Sequence, residues 1–244
     1  MTKLSVNLNK FALIRNARNI GIPNVIHMAI KCISAGAHGI TVHPRPDQRH
    51  IKPSDVFELA ELLRDYPEIE FNIEGNPFPE FIELVQQILP TQCTLVPDAP
   101  NQLTSDHGWD LFTDGERIRP IIKQLRDKGI RVSLFMDTEL SQIELAKDIN
   151  SHRIELYTEP YARAFGTENQ DDVFFNFVQA AKKAQEIGLG VNAGHDLNLQ
   201  NVSLLCSIPD ILEVSIGHAL VVEAFDFGIE HTIRQYLKIL GHLK

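Results

Sequence analysis

The strongest constraint in this sequence is a strict alternation of short apolar segments with longer amphipathic ones. Segments such as residues 40–42 and 131–136 have the length and apolar content of buried strands. Residues 25–35 and 79–89 instead carry apolar side chains at helical spacing. Eight such strand and helix units of roughly 30 residues fill the chain, the size of one βα repeat in an eightfold barrel. The alternation therefore predicts an α/β fold.

Two α/β architectures fit this alternation. A doubly wound open sheet would normally show a glycine-rich phosphate turn after its first strand, and the segment Asn7-Leu8-Asn9-Lys10 has none. We therefore expect a (β/α)8 TIM barrel that forms a single domain over residues 1–244. Extra helices are expected at residues 11–18 and 159–166.

The same pattern predicts where each element lies. The predicted strands are residues 4–8, 40–42, 70–73, 93–96, 131–136, 153–156, 190–192 and 212–216. The main predicted helices are residues 25–35, 54–64, 79–89, 116–128, 171–187, 198–206 and 223–240. A further helix should begin with the capping-box spacing of Ser141 and Glu144. A long loop over residues 99–114 is expected to act as a lid.

Composition excludes several classes of function. The net charge of −9 argues against a nucleic-acid-binding surface, and no apolar segment is long enough to cross a membrane. The three cysteines, Cys32, Cys93 and Cys206, are too widely spaced for a disulfide framework or a zinc motif. Because they are expected to be reduced and no signal peptide precedes the first strand, we predict a cytoplasmic protein.

Polar side chains follow most of the predicted strands. In a barrel the carboxyl ends of the strands converge on one mouth, where active sites lie. The residues expected there are Asn7, His43, Glu74, Asp98, Asp137, Glu159, His195 and His218. Histidine titrates near neutral pH and can both accept and donate protons. The strand ends therefore predict a site for acid–base chemistry.

Cationic residues near the strand ends indicate an anionic ligand. Pro44 and Pro46 stiffen a loop that carries Arg45 and Arg49, and His50 follows. The pair Gly217-His218 precedes an apolar segment, and a helical turn there would direct N–H groups at a phosphate.

A metal site is the alternative to a phosphate site. His43, Glu74, His195 and His218 could in principle bind zinc or iron. The sequence contains no His-x-His or His-Glu-x-x-His motif. We therefore favour phosphate binding and expect no metal.

These motifs are similar to those of one family. The chain resembles pyridoxine 5′-phosphate synthase over nearly its whole length. The matching segments, in order, are Val6-Asn7, Arg15-Asn16-Ala17-Arg18, Gly39-Ile40-Thr41-Val42-His43, residues 45–50, Asn72-Ile73-Glu74, Leu95-Val96-Pro97, Val132-Ser133-Leu134-Phe135, Val191-Asn192-Ala193-Gly194-His195 and Ile216-Gly217-His218-Ala219.

The resemblance implies a cofactor-free condensation. Its substrates would be 1-deoxy-D-xylulose 5-phosphate and 3-amino-2-oxopropyl phosphate, and its products pyridoxine 5′-phosphate, phosphate and water. The implied proton acceptors are His43 and Glu74, and the implied proton donor is His195. The residues implied in substrate binding are Arg45, His50 and Thr104 for the first substrate, and Asn7, Arg18, Gly217 and His218 for the second. Asp196 is also expected to bind substrate, through its backbone N–H. The resemblance also implies a homo-octamer in which Arg18 reaches a neighbouring subunit's site.

Two positions depart from the family pattern. Many members have Asp-His where this chain has Asn9-Lys10, and glycine where it has Asp196. These changes leave open a second hypothesis, a catalytically retired barrel that binds phosphorylated metabolites. A third is another phosphate-binding barrel enzyme, such as an isomerase or an aldolase. An aldolase would need a strand-borne lysine for a Schiff base.

Overall fold

Eight parallel strands close into a barrel in sequence order. The structure is a computed structural model and describes residues 1–18 and 20–243. The strands are β1 (Lys3–Asn7), β2 (Gly39–Val42), β3 (Glu70–Gly75), β4 (Gln92–Leu95), β5 (Arg131–Met136), β6 (Arg153–Tyr157), β7 (Gly190–Gly194) and β8 (Ile211–Ile216). β8 pairs with β1, and Val6 lies opposite Ile216. The predicted barrel is confirmed, and the open sheet is wrong.

Helices follow the strands and surround the barrel. In the described part of the chain they are α1 (Asn9–Asn16), α2 (Val25–Ser34), α3 (Pro53–Leu63), α4 (Pro79–Ile88), α5 (Leu111–Asp127), α6 (Leu140–Asp148), α7 (Glu159–Ala164), α8 (Gln170–Glu186), α9 (Val202–Leu205), α10 (His218–Phe227) and α11 (Ile229–Ile239). Both predicted extra helices are present, as α1 and α7. None of the described helices is long and apolar enough to cross a membrane.

Two predictions near α5 and α6 are wrong at their boundaries. The loop predicted to reach residue 114 ends earlier, because the Asp110 carboxylate accepts the Phe112 N–H at 3.2 Å and caps α5. The capping box at Ser141 does not form. The first helical residue of α6 is Leu140, and its N-cap is Glu139, two residues before Ser141. The side chain of Gln142 instead accepts the Leu111 N–H at 2.6 Å.

Two predicted helices are shorter or broken. Residues 198–201 form a turn in which the Asn198 side chain accepts the N–H groups of Gln200 and Asn201, so only Val202–Leu205 is helical. The predicted final helix divides at Gly228, whose φ of +78° ends α10 before α11 begins.

The strands present apolar side chains outward and polar ones inward. Ile40 and Val42 belong to the hydrophobic core beneath the helices, whereas Thr41 lies 2.7 Å from the Ser5 hydroxyl inside the barrel. Several other buried polar side chains share this interior: Asn72, Gln92, Thr94, Glu155, Asn192 and Glu213. A polar interior therefore lies beneath the barrel mouth.

Candidate active site

The carboxyl ends of the strands open into a cavity of about 480 Å³. The cavity collects ten of the eleven predicted site residues. They are Asn7, His43, Arg45, His50, Glu74, Thr104, His195, Asp196, Gly217 and His218. The convergence expected from parallel strands is therefore present, although the geometry alone assigns no role to any of them.

Arg18, the eleventh predicted site residue, lies outside this cavity, as do three of the predicted strand-end residues. Arg18 is exposed beyond the end of α1. Asp98 pairs with Arg45, and Asp137 accepts the Gly108 N–H at 3.0 Å. Glu159 is in α7, 3.6 Å from Arg163. The three carboxylates therefore support neighbouring segments, and the prediction that Arg18 serves a neighbouring subunit stays a prediction.

His43 is a buried imidazole at the end of β2. Its backbone N–H donates to Asn9 Oδ1 at 2.9 Å, which ties β2 to the start of α1. Burial holds the pKa of His43 well below its usual value, and the charges of Arg45, His50 and Arg49 lower it further. The ring is therefore neutral at neutral pH and can accept a proton.

Glu74 is a partly buried carboxyl on β3 that faces the same cavity. Burial raises its pKa well above the usual value, and repulsion from Glu155, Asp98 and Glu213 adds to this effect. The amide of Asn7 is within 3.4 Å of Glu74 Oε2. This environment favours the protonated form of the carboxyl over the ionised form.

Glu155 is a cavity residue that the sequence interpretation missed. It lies on β6 inside the barrel, only 3% exposed, and burial with repulsion from Glu213 raises its pKa to about 8. Gly194 makes room for it, because a Cβ there would lie 2.3 Å from Glu155 Oε1. The signal available in the sequence was a carboxylate between the core residues Ile154 and Leu156.

His195 follows β7 and contacts the long loop. Its Nε2 lies 3.0 Å from Thr104 Oγ1, and its ring packs edge-on against Tyr157 with centroids 5.1 Å apart. Its φ is +92°, an uncommon conformation for a residue other than glycine. The far end of the loop is fixed by Trp109, whose Nε1 donates to the Leu95 carbonyl at 2.8 Å.

His50 is positioned to donate into the cavity. Its Nδ1 accepts the Ile51 N–H at 2.9 Å. Burial and the nearby Arg45, Arg49 and Lys10 lower the pKa of His50 to about 4. A neutral ring whose Nδ1 is an acceptor carries its proton on Nε2, which can hydrogen-bond a phosphate oxygen.

Arg45 is committed to the protein at two points. One guanidinium nitrogen lies 2.5 Å from Asp98 Oδ2, and the other donates to the Gln102 carbonyl at 3.2 Å. Both partners of the ion pair are nearly fully buried. Arg45 therefore supports the long loop as well as lining the cavity.

The second anion-binding feature is the start of α10. The predicted helical turn is confirmed, with Gly217 as the N-cap and His218 as the first helical residue. A Cβ at Gly217 would lie 3.0 Å from the Asn7 Cβ. Glycine thus lets β1 approach the helix start, where free N–H groups favour anions.

The metal alternative gains no geometric support. Among residues 1–18 and 20–243, no three histidine, cysteine, aspartate or glutamate side chains are arranged to hold a metal ion.

The fold and the cavity together define a class: a (β/α)8 barrel whose carboxyl mouth is lined by histidine, carboxyl and cationic side chains. Its sequence matches the family model of the pyridoxal phosphate biosynthesis protein PdxJ over residues 4–242, and the chain belongs to that family.

Curated relatives agree with this assignment. A protein of Albidiferax ferrireducens is 50% identical, the alignment covering 98% of each chain. One of Bacteroides thetaiotaomicron is 49% identical over 98% of this chain and 100% of its own. Both are named pyridoxine 5′-phosphate synthase. The enzyme class expected from the sequence is therefore confirmed.

Solved structures of other barrels share the fold at low identity. Phosphoribosyl anthranilate isomerase of Thermotoga maritima superposes with a TM-score of 0.64 at 18% identity, covering all of both chains. A 4-hydroxy-2-oxoglutarate aldolase superposes with a TM-score of 0.63 at 10% identity, covering 98% of this chain and 94% of its own. These likenesses concern the fold alone.

Proposed function

We propose that this chain condenses 1-deoxy-D-xylulose 5-phosphate with 3-amino-2-oxopropyl phosphate to give pyridoxine 5′-phosphate, phosphate and water. The observation that carries the proposal is one cavity at the barrel mouth that brings His43, Glu74 and His195 together beside the start of α10. Amine attack on a ketone, loss of water, loss of phosphate and ring closure each move protons. General acid–base catalysis therefore suffices, and the proposed reaction uses no cofactor.

His43 and Glu74 act as proton acceptors in this proposal. His43 is neutral and accepts a proton directly. Burial and repulsion from Glu155 raise the pKa of Glu74, which favours its protonated form. Glu74 therefore first gives its proton to the substrate and, once ionised, accepts a proton in a later step.

His195 acts as the proton donor to a leaving oxygen. It stands at the cavity wall beside Thr104 of the long loop. Closure of that loop would keep water from hydrolysing an imine formed between the two substrates.

The two phosphates occupy separate parts of the cavity. Arg45, His50 and Thr104 hold the deoxyxylulose phosphate, in agreement with the donor tautomer of His50. Asn7, Gly217, His218 and the backbone of Asp196 hold the amino ketone phosphate at the start of α10. Arg18, exposed on its own chain, reaches the site of a neighbouring subunit.

The proposal extends to the state of the protein in the cell. We expect a single domain over residues 1–244 that assembles as a homo-octamer in the cytoplasm. The partners are the two phosphorylated substrates, with no nucleic acid and no membrane.

The aldolase alternative has little support in the described chain. The one lysine within a strand there is Lys3, at the amino end of β1, where it pairs with Glu70. Lys10 lines the cavity but lies in α1.

A direct turnover assay tests the proposal. The protein, freed of metal by chelation, is mixed with both substrates, and product is followed by absorbance and mass. Formation of pyridoxine 5′-phosphate is expected. If no product forms while both substrates still raise the melting temperature, the chain is a retired binder. Absence of both product and binding would contradict the substrate assignment.

A further inference from the structure

A carboxylate lies beside the proposed proton donor. Asp196 Oδ2 is 3.3 Å from His195 Nδ1. That nitrogen is buried and forms no aligned hydrogen bond within the described residues. Burying a polar nitrogen without a partner is costly, and Asp196 supplies the nearest compensating charge.

The backbone creates this contact. His195 and Asp196 have φ values of +92° and +58°. Aspartate is one of the few residues other than glycine that tolerates a left-handed conformation. The position at which the family commonly has glycine can therefore keep its backbone path while it gains a carboxylate.

We propose that Asp196 is a positioning residue that favours the His195 tautomer protonated on Nδ1. The proposal rests on the function proposed above and deepens it. With Nδ1 occupied by a proton, the transferable proton is on Nε2. Nε2 lies on the side of the ring that meets Thr104, so proton transfer and loop closure would involve the same nitrogen.

The surroundings of Asp196 keep its carboxylate ionised. The His195 side chain is the main cause that holds the pKa of Asp196 below its usual value, and His218 and Lys10 lower it further. Lys10, from α1, and His218, from α10, line the same cavity. Lys10 and Asp196, the two charged departures from the family pattern, thus offset each other at the mouth.

Other groups around His195 must be separated from this effect. Tyr157 and Glu155 approach from β6, Thr104 from the long loop, and Lys10 and His218 from their helices. Replacing Asp196 removes one carboxylate and leaves these other groups in place.

The matched control is Glu159→Gln, which removes a carboxylate from α7 outside the cavity.

The test is 15N NMR of the full-length protein with labelled imidazoles at alkaline pH, which distinguishes the two neutral ring tautomers, with the His195 signals assigned by their loss in His195→Gln. We expect the Nδ1-protonated tautomer to dominate in the wild type and in Glu159→Gln, and its share to fall about threefold or more in Asp196→Gly, which removes the carboxylate. A wild type dominated by the Nε2-protonated tautomer, or an equal fall in Glu159→Gln, would overturn the proposal.

Kinetics provide a second readout. Loss of the Nδ1-protonated tautomer moves the transferable proton away from Nε2, so Asp196→Gly should lower kcat about tenfold with a smaller change in KM. An unchanged kcat would contradict the proposal. The NMR measurement needs no turnover, so an inactive wild-type protein would refute the proposed function while the pairing of Asp196 with His195 is still measured.

Discussion

Arg45 shows how one residue can serve both the site and the fold. Its ion pair with Asp98 is nearly fully buried, with side-chain exposures of 6% and 3%. Removing one partner of a buried pair leaves an uncompensated charge and costs about 3–5 kcal/mol. We therefore expect Arg45→Met to lower the free energy of unfolding by that amount, measured by urea denaturation.

The matched control is Arg64→Met, which removes an exposed arginine paired with Glu61. Exposed pairs contribute little, so its urea midpoint should stay close to wild type. If the urea midpoint of Arg45→Met is as close to wild type as that of Arg64→Met, the buried ion pair does not stabilise the fold.

Glu155 should make stability depend on pH. The unfolded chain loses this proton near pH 4.5, whereas the native state keeps it until about pH 8. Between these values the native state binds more protons, so its stability falls as pH rises. In Glu155→Gln that loss should shrink, and the variant's melting temperature relative to wild type should rise by about 3 °C or more between pH 5 and pH 8.5.

An exposed carboxylate provides the comparison for this measurement. Glu58 is exposed on α3, and Glu58→Gln should track the wild type across the same pH range. If Glu155→Gln also tracks the wild type, the Glu155 pKa is not raised in the native state.

At the scale of elements, Gly194 on β7 leaves space for a side chain inside the barrel. A Cβ there would lie 2.3 Å from Oε1 of Glu155, whose buried side chain would have to move, and overpacking a core costs about 1–3 kcal/mol. Gly194→Ala should therefore shift the urea midpoint downward. Gly115→Ala, in α5, should be neutral or stabilising, since its nearest neighbours are 3.9 Å away and alanine favours helix. The opposite order would contradict the packing account.

The end of α1 holds the loop that carries His50. Asn16 Nδ2 donates to the carbonyls of Arg49 and His50 at 3.0 and 2.8 Å. Asn16→Ala should raise KM for deoxyxylulose phosphate several-fold with a smaller change in kcat, because the loop loses its anchor while the proton-transfer residues stay in place. Both constants, KM and kcat, are measured by steady-state kinetics. The control is Gln87→Ala, an exposed substitution on α4. An unchanged KM would contradict the role of the anchor.

At the scale of the whole molecule, the barrel could be predicted from the sequence because a strand followed by a helix repeats eight times along the chain, in units of roughly 30 residues. The sequence also predicted most strand-end residues, since parallel strands bring their carboxyl ends together. Glu155 was missed as a cavity residue because it lies within β6 rather than at its end. The ion pair of Arg45 with Asp98 could not be predicted, because it joins residues 53 positions apart.

We propose that the barrel mouth synthesises pyridoxine 5′-phosphate by proton transfer through His43, Glu74 and His195. The most direct test of this role is the rate of product formation in His43→Ala, Glu74→Gln and His195→Ala, with the exposed His27→Ala as control. We predict turnover reduced by about a hundredfold or more in the three site variants, with unchanged circular dichroism and a wild-type rate in His27→Ala. Near-normal turnover in all three site variants would contradict the assignment.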